Sequence, residues 1–140
     1  MTALLSIKPQ YVESIADGTK RFEFRRRPFA RRVDTVLVYA TAPVMRLVML
    51  FQIGHIIRRS PHSVWRACRA FSGIEKSEYD RYFFGTDEAV AISISSIATF
   101  DEPIDPRDIF DEFVPPQSFR YLDENTMPDE IRYYLERLGR

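Results

Sequence analysis

The stretch that most constrains this chain runs from Val44 to Ile57: fourteen residues rich in Val, Ile, Leu and Phe, broken by Arg46, Gln52 and His55. It is too short to cross a bilayer as a helix, which takes about 20 apolar residues. Its β-branched and aromatic content reads as a strand instead. A strand of that length in a small protein is expected to curve around a barrel rather than lie in a flat sheet, with Gly54 as the bulge or bend.

Shorter segments flank it. Ala3 to Ile7 suits a buried strand. Pro9 fits a first helical position, Tyr11, Val12, Ile15 and Ala16 follow at helical spacing, and Gly18 supplies a stop. From Lys20 the period changes to two, with Phe22 and Phe24 facing one way and Arg21, Glu23 and Arg25 the other. Five arginines then crowd Arg25 to Arg32 around Pro28 and Phe29, which reads as an exposed connection. Val33 to Thr41 is a central strand ended by Ala42-Pro43.

Ser60-Pro61 caps a helix through Val64, Trp65, Cys68 and Phe71, closed by Ser72-Gly73, and a second short helix from Ser77 stops at Gly85. Glu88 to Phe100 reads as a strand, with Ala89, Ala91, Ser93 and Ser95 on one face and Val90, Ile92, Ile94 and Ile97 on the other. An acidic, proline-punctuated stretch follows to Pro116, and a last helix spans Pro128 to Leu138 with Ile131, Tyr134, Leu135 and Leu138 at core spacing. The expected class is α+β: a small curled mixed β-barrel with peripheral helices. Residues 1–100 form the domain, and residues 101–140 an acidic, proline-rich extension whose C-terminal helix packs on it.

At 140 residues the chain can bury a core without a staple. Cys68 has no second cysteine to pair with and reads as a packed thiol. His55 reads as a half-buried strand histidine, and neither it nor His62 has carboxylates at ligand spacing, so no metal or other cofactor is expected. The start, MTALLSIKPQ, carries no secretory pattern, and with no membrane span the expected location is cytoplasmic.

The net charge of zero hides an asymmetry. Residues 1–72 hold 13 Lys and Arg against 4 Asp and Glu, a charge of +9, and residues 73–140 carry −9. Such a basic half points to an anionic partner; the alternative is that the two halves neutralise each other on folding. Glycine-rich phosphate loops, G-x-S-x-G and H-E-x-x-H are absent. What stands out is Gly18-Thr19-Lys20-Arg21-Phe22-Glu23-Phe24-Arg25, which offers a point cation, an acceptor and a bidentate donor near the sheet mouth. The same pattern also suits an ordinary solvated strand face.

Leu5-Ser6-Ile7-Lys8-Pro9, then Ile15, then Gly18-x-Lys20-x-x-Glu23-x-Arg25, resemble the signature of ASCH domains, members of the PUA-like superfamily of small β-barrels. The resemblance covers roughly the first hundred residues. It implies a PUA-like fold with a basic cleft between the first helix and the barrel mouth that holds RNA or a nucleotide. By that resemblance Lys20, Glu23 and Arg25 line the cleft, Lys8 stands at the helix start, and Tyr39 and Thr41 stand at the end of the neighbouring strand; Arg21 and Arg26 beside them are further candidates for binding the nucleic acid. Tyr39 is then either a base-stacking surface or a core tyrosine.

Some ASCH proteins are amidohydrolases that act on acetylated cytidine through a lysine, a threonine and a glutamate. Lys20 matches, but Glu23 stands where the threonine belongs, and Arg58-Arg59-Ser60-Pro61 offers no glutamate after the long strand. Others resemble metal-independent ribonucleases, in which Lys20 would stabilise phosphate charge and Glu23 would act as base. The leading expectation is a nucleic-acid-binding module for RNA or a modified nucleotide. The alternatives are an RNA- or nucleoside-directed hydrolase with Lys20 and Glu23 as catalytic groups, and a regulatory protein-interaction domain.

Overall fold

The computed structural model describes residues 1–138; the last two residues of the expected 101–140 extension lie outside them. The elements run β1 (Thr2–Ile7), α1 (Pro9–Asp17), β2 (Phe22–Arg25), β3 (Thr35–Ala40), β4 (Arg46–Arg59), α2 (Pro61–Cys68), α3 (Lys76–Tyr82), β5 (Ala89–Ile104), β6 (Phe119–Leu122) and α4 (Asp129–Leu135). Six strands make one curled half-barrel sheet in the order β2-β5-β4-β3-β1-β6. β1 and β3 run parallel across the α1–β2 crossover, and every other pairing is antiparallel.

The local signals behave as their chemistry dictates. Pro9 sits in the first turn of α1, and Gly18 ends it at φ +85° with its N–H bonded to the Ile15 carbonyl. The Ser60 hydroxyl accepts from the Ser63 N–H and caps α2. The long strand curves through irregularities. One register shift lies between Ile53 and Ile56, at Gly54, where a Cβ would come within 2.9 Å of the Ser93 hydroxyl.

A second bulge lies in β5. Gln52 pairs with Ser96 while Ile53 pairs with Ile94, so Ser95 is an extra residue in β5. Beyond it the alternation changes phase: Ile97, paired with Phe51, shares the face of Val90, Ile92 and Ile94 as expected, though it is 37% exposed, while Ala98 and Phe100 pack on the opposite face. His55, expected half-buried, is exposed, with its ring set edge-on to Phe22. Cys68 is buried beneath α2, and burial pushes its thiol up to about 11.

Alternation in the strands divides the apolar side chains among three clusters. Ala3, Leu5, Ile7, Val36, Val38, Phe51 and Ile92 fill the concave interior beneath Ile15 of α1. On the opposite face, Leu4, Leu37, Tyr39, Leu47 and Leu50 are covered by Met127 and Ile131 from the C-terminal segment. Elsewhere α2 and α3 pack Val64, Cys68, Tyr79 and Phe83 against Phe24, Ala89 and Ala91. β5 runs unbroken past Phe100, and β6 pairs with β1, so the residues after 100 extend the sheet itself. Among the described residues, no helix is long and apolar enough to cross a membrane.

Candidate functional site

The half-barrel leaves a seam between its edge strands β2 and β6, and Arg25 spans it. Its Nη2 donates to the Ser6 carbonyl of β1 at 3.0 Å and to Glu23 Oε2 at 3.0 Å, while Nη1 reaches the Ser118 carbonyl just before β6 at 3.3 Å. The guanidinium therefore stitches the seam with donors that a ligand would otherwise meet. Its Nε is buried with no partner.

Above the seam, between α1 and α3, opens a cleft of about 490 Å³ whose walls include Lys8, Tyr11, Lys20, Glu23, Glu78 and Tyr82. Lys20 is the least expected of its groups, because a charged lysine is 2% exposed there. Its ammonium donates to the Ser72 carbonyl at 2.8 Å and lies 4.0 Å from Glu23 Oε1. It also stands 4.7 Å from the centre of the Phe24 ring and 5.2 Å from that of Tyr11. Burial pulls its pKa below the ordinary lysine value, and the Glu23 carboxylate offsets only part of that pull.

Local sequence explains how the lysine is held. Its backbone N–H bonds to the Ser14 carbonyl, and the Arg21 N–H bonds to the Phe71 carbonyl, so the segment after Gly18 is clamped from both sides. Gly73 closes over the stem at φ +63°, where a Cβ would fall 2.3 Å from Lys20 Cβ. Only glycine fits that approach and that backbone conformation together.

Opposite Lys20, Tyr11 of α1 donates its hydroxyl to the Glu78 carboxylate of α3. Burial and then this bond raise the Tyr11 pKa to about 12. Arg26 donates from Nε to the Tyr82 carbonyl at 2.7 Å with its guanidinium over the Tyr82 ring, and burial pushes the Tyr82 pKa upward. With Lys8, Lys20, Arg25, Arg26 and Arg81 set against Glu23 and Glu78, the lining is positive. The acidic extension meets this rim through two carbonyls: Pro116 accepts from the Ser6 hydroxyl and Ser118 from Arg25.

Five of the residues singled out from sequence thus come together: Lys8, Lys20, Glu23, Arg25 and Arg26. Three do not. Arg21 points away and stacks on Phe71 with 4.4 Å between guanidinium and ring. Tyr39 is 5% exposed on the other face of the sheet, against Phe113, so it is a core tyrosine with no surface to offer a base. Thr41 follows β3 in a turn, where its N–H bonds to the Ile7 carbonyl, and does not line the cleft.

Tyr11, Glu78, Arg81 and Tyr82 were not anticipated. The available signal was helical spacing: residues 78, 81 and 82 share one side of α3 while Tyr79 and Phe83 take the buried side. Arg58-Arg59-Ser60-Pro61 indeed offers no glutamate, and the carboxylate that reaches the cleft from beyond the long strand is Glu78. It arrives some twenty residues later, on a helix that the sequence alone does not place against α1.

Comparison with known proteins agrees with this geometry. The ASCH domain family matches over residues 5–98. An ASCH domain-containing ribonuclease of Zymomonas mobilis is 28% identical over 127 residues, covering 86% of this chain and 83% of that protein. The large ribosomal subunit protein uL22 of Ureaplasma parvum is 29% identical over 122 residues, which are 86% of this chain but only 39% of that one. The crystal structure of ASCH from Zymomonas mobilis superposes with a TM-score of 0.83 at 26% identity, covering 98% of this chain and 94% of that one.

Proposed function

The chain belongs to the ASCH domain family, and from that premise we propose that its cleft binds RNA. The observation that carries the reading is the burial of Lys20 at the floor of a cavity of about 490 Å³, beside a carboxylate and between two aromatic rings. A buried ammonium costs several kcal/mol to desolvate, so a fold that holds one at an accessible wall is set up to receive an anion. The cavity lies in the size range of small-ligand sites, enough for about one nucleotide. The cations around it supply the phosphate attraction that dominates nucleic-acid affinity.

A second reading is favoured by the relative named a ribonuclease. In it Glu23 takes the proton of a ribose 2′-hydroxyl, the oxygen attacks the adjacent phosphorus, and the 5′-oxygen leaves. Lys20 would stabilise the added negative charge on the phosphoryl oxygens. One experiment separates the readings. Labelled single-stranded RNA is incubated with the protein in EDTA, with binding and cleavage followed for the wild type and Lys20→Met. Binding that falls with salt and with the substitution supports the cleft; cleavage lost with the same substitution supports the ribonuclease. RNA binding and cleavage that are both indifferent to Lys20 overturn both.

A further inference from the structure

The β2–β3 connection, residues 26–34, is basic and held in place, yet little of its charge is spent inside the molecule. Among the described residues, Arg27 makes neither an ion pair nor a side-chain hydrogen bond. Of the described acids, only Asp34 pairs with one of the loop's arginines, 3.4 Å from an Arg32 that is 91% exposed. The loop does not float. Tyr121 of β6 accepts from the N–H groups of Ala30 and Arg31, its ring lies 5.0 Å from the Arg31 guanidinium, and Phe29 packs edge-on against Phe119. A guanidinium stacked on a ring keeps its N–H edge free for an anion.

This loop starts in the cleft. Arg26 lines it and also bonds to the Tyr82 carbonyl, tying the loop to the turn that ends α3. That turn carries Phe84, which at 86% exposure is the most exposed large apolar side chain among the described residues. An unpaired Arg27 and a ring-stacked Arg31, on a loop tied through Arg26 to the turn that carries a solvent-facing aromatic ring, are the combination that grips single strands: phosphates along the cations, a base on the ring.

Resting on the cleft reading above, we propose that Arg27, Arg31 and Phe84 form an extension of the site that takes a neighbouring stretch of the strand. The ligand is then single-stranded RNA of several nucleotides rather than a free nucleotide. Lys20 and its neighbours hold one nucleotide, the loop follows the backbone beside it, and Phe84 stacks an adjoining base.

The test compares a fluorescein-labelled 10-mer single-stranded RNA, the same length of RNA duplex and a labelled mononucleotide, each titrated across a salt series. Arg27→Glu touches no internal partner and keeps the fold intact. It is expected to weaken 10-mer binding about tenfold, and to lower the slope of log affinity against log salt by about 0.7 for each phosphate that is no longer neutralised. Mononucleotide binding should stay as in the wild type. Phe84→Ala is expected to weaken the single strand by about tenfold and leave the duplex unchanged. A 10-mer that binds no tighter than the mononucleotide, or that ignores both substitutions, overturns the extension while leaving the cleft reading to stand on Lys20→Met. Equal losses on anionic lipid vesicles also overturn it, since the loop would then be a general anion surface. If Lys20→Met leaves every RNA bound, the cleft reading itself fails.

Discussion

The face of the sheet turned away from α1 is covered in two different ways. At one patch the C-terminal segment lays Met127 and Ile131 over Leu4, Leu37, Leu47 and Leu50, an all-apolar seal. At the other, α2 and α3 pack on Phe24 and Ala91, but the rim toward α1 stays open and holds Lys20, Glu23 and Glu78. Both patches draw on β4 and β5. The first maximises burial of apolar area, and the second sacrifices some of it to keep charges within reach of solvent. The proposed site lies where closure is incomplete and polar, and a buried ion there contributes little to stability.

The largest effect should come from the sealed patch. Ile131 is fully buried in α4, so Ile131→Ala should cost about 2–5 kcal/mol through lost transfer energy and a cavity. Urea unfolding would read this as a lower midpoint. RNA affinity of the folded protein should stay unchanged, since nothing in that patch lines the cleft; a variant that folds well yet binds poorly would break the comparison.

Next comes the hinge between packing and site. Gly73→Ala forces a methyl against the Lys20 stem in a left-handed backbone position. Overpacking alone should cost about 1–3 kcal/mol, and the lysine must move to relieve it. Unlike Ile131→Ala, this substitution should reduce both the denaturation midpoint and RNA affinity. Retained affinity at reduced stability would mean that the exact seat of Lys20 does not matter.

The two patches also differ in how far they could be read in advance. Strands β1 to β5, the two helix stops at Gly18 and Gly85, and the joining of Lys20, Glu23 and Arg25 all follow from local period and from charge at fixed spacing. What sequence concealed is set by partners distant along the chain. β6 is a four-residue strand just after Pro115-Pro116, and it exists because β1 has an edge to pair. Ile97 shares the face of Ile92 and Ile94 because one bulge residue, Ser95, shifts the phase of everything after it. Tyr39 could have lain on either side of the sheet until Phe113, seventy-four residues later, covered it. Glu78 needed α3 to dock beside α1.

A third comparison uses Lys20 itself. Lys20→Met keeps the volume and the apolar packing with Phe24 and Tyr11 while removing the cation. Relief from desolvation and the orphaned Ser72 carbonyl oppose one another, so stability near pH 7 should change by less than about 2 kcal/mol while RNA affinity falls at least tenfold. The native pKa lies below the ordinary 10.5, so the unfolded chain holds the extra proton between the two values. Wild-type stability should therefore rise relative to Lys20→Met as pH increases through that window, and a flat difference would show that the ammonium is not desolvated.

Tyr11 titrates with the opposite sign and gives the smallest effect at neutral pH. Its hydroxyl loses a proton near 10.0 in the unfolded chain but only near 12 in the native cleft, where burial and the bond to Glu78 favour the neutral form. Between those values the native state holds more protons, so stability falls as pH rises. Tyr11→Phe cannot ionise and should lack this decline. Its cost at pH 7 should be about 0.5–1.5 kcal/mol, that of one lost hydrogen bond at a half-exposed site. The variant should then overtake part of that deficit between pH 10 and 12 in chemical denaturation. If wild type and Tyr11→Phe stay parallel across that range, the tyrosine is not held by Glu78, and the cleft wall facing Lys20 is looser than its geometry implies.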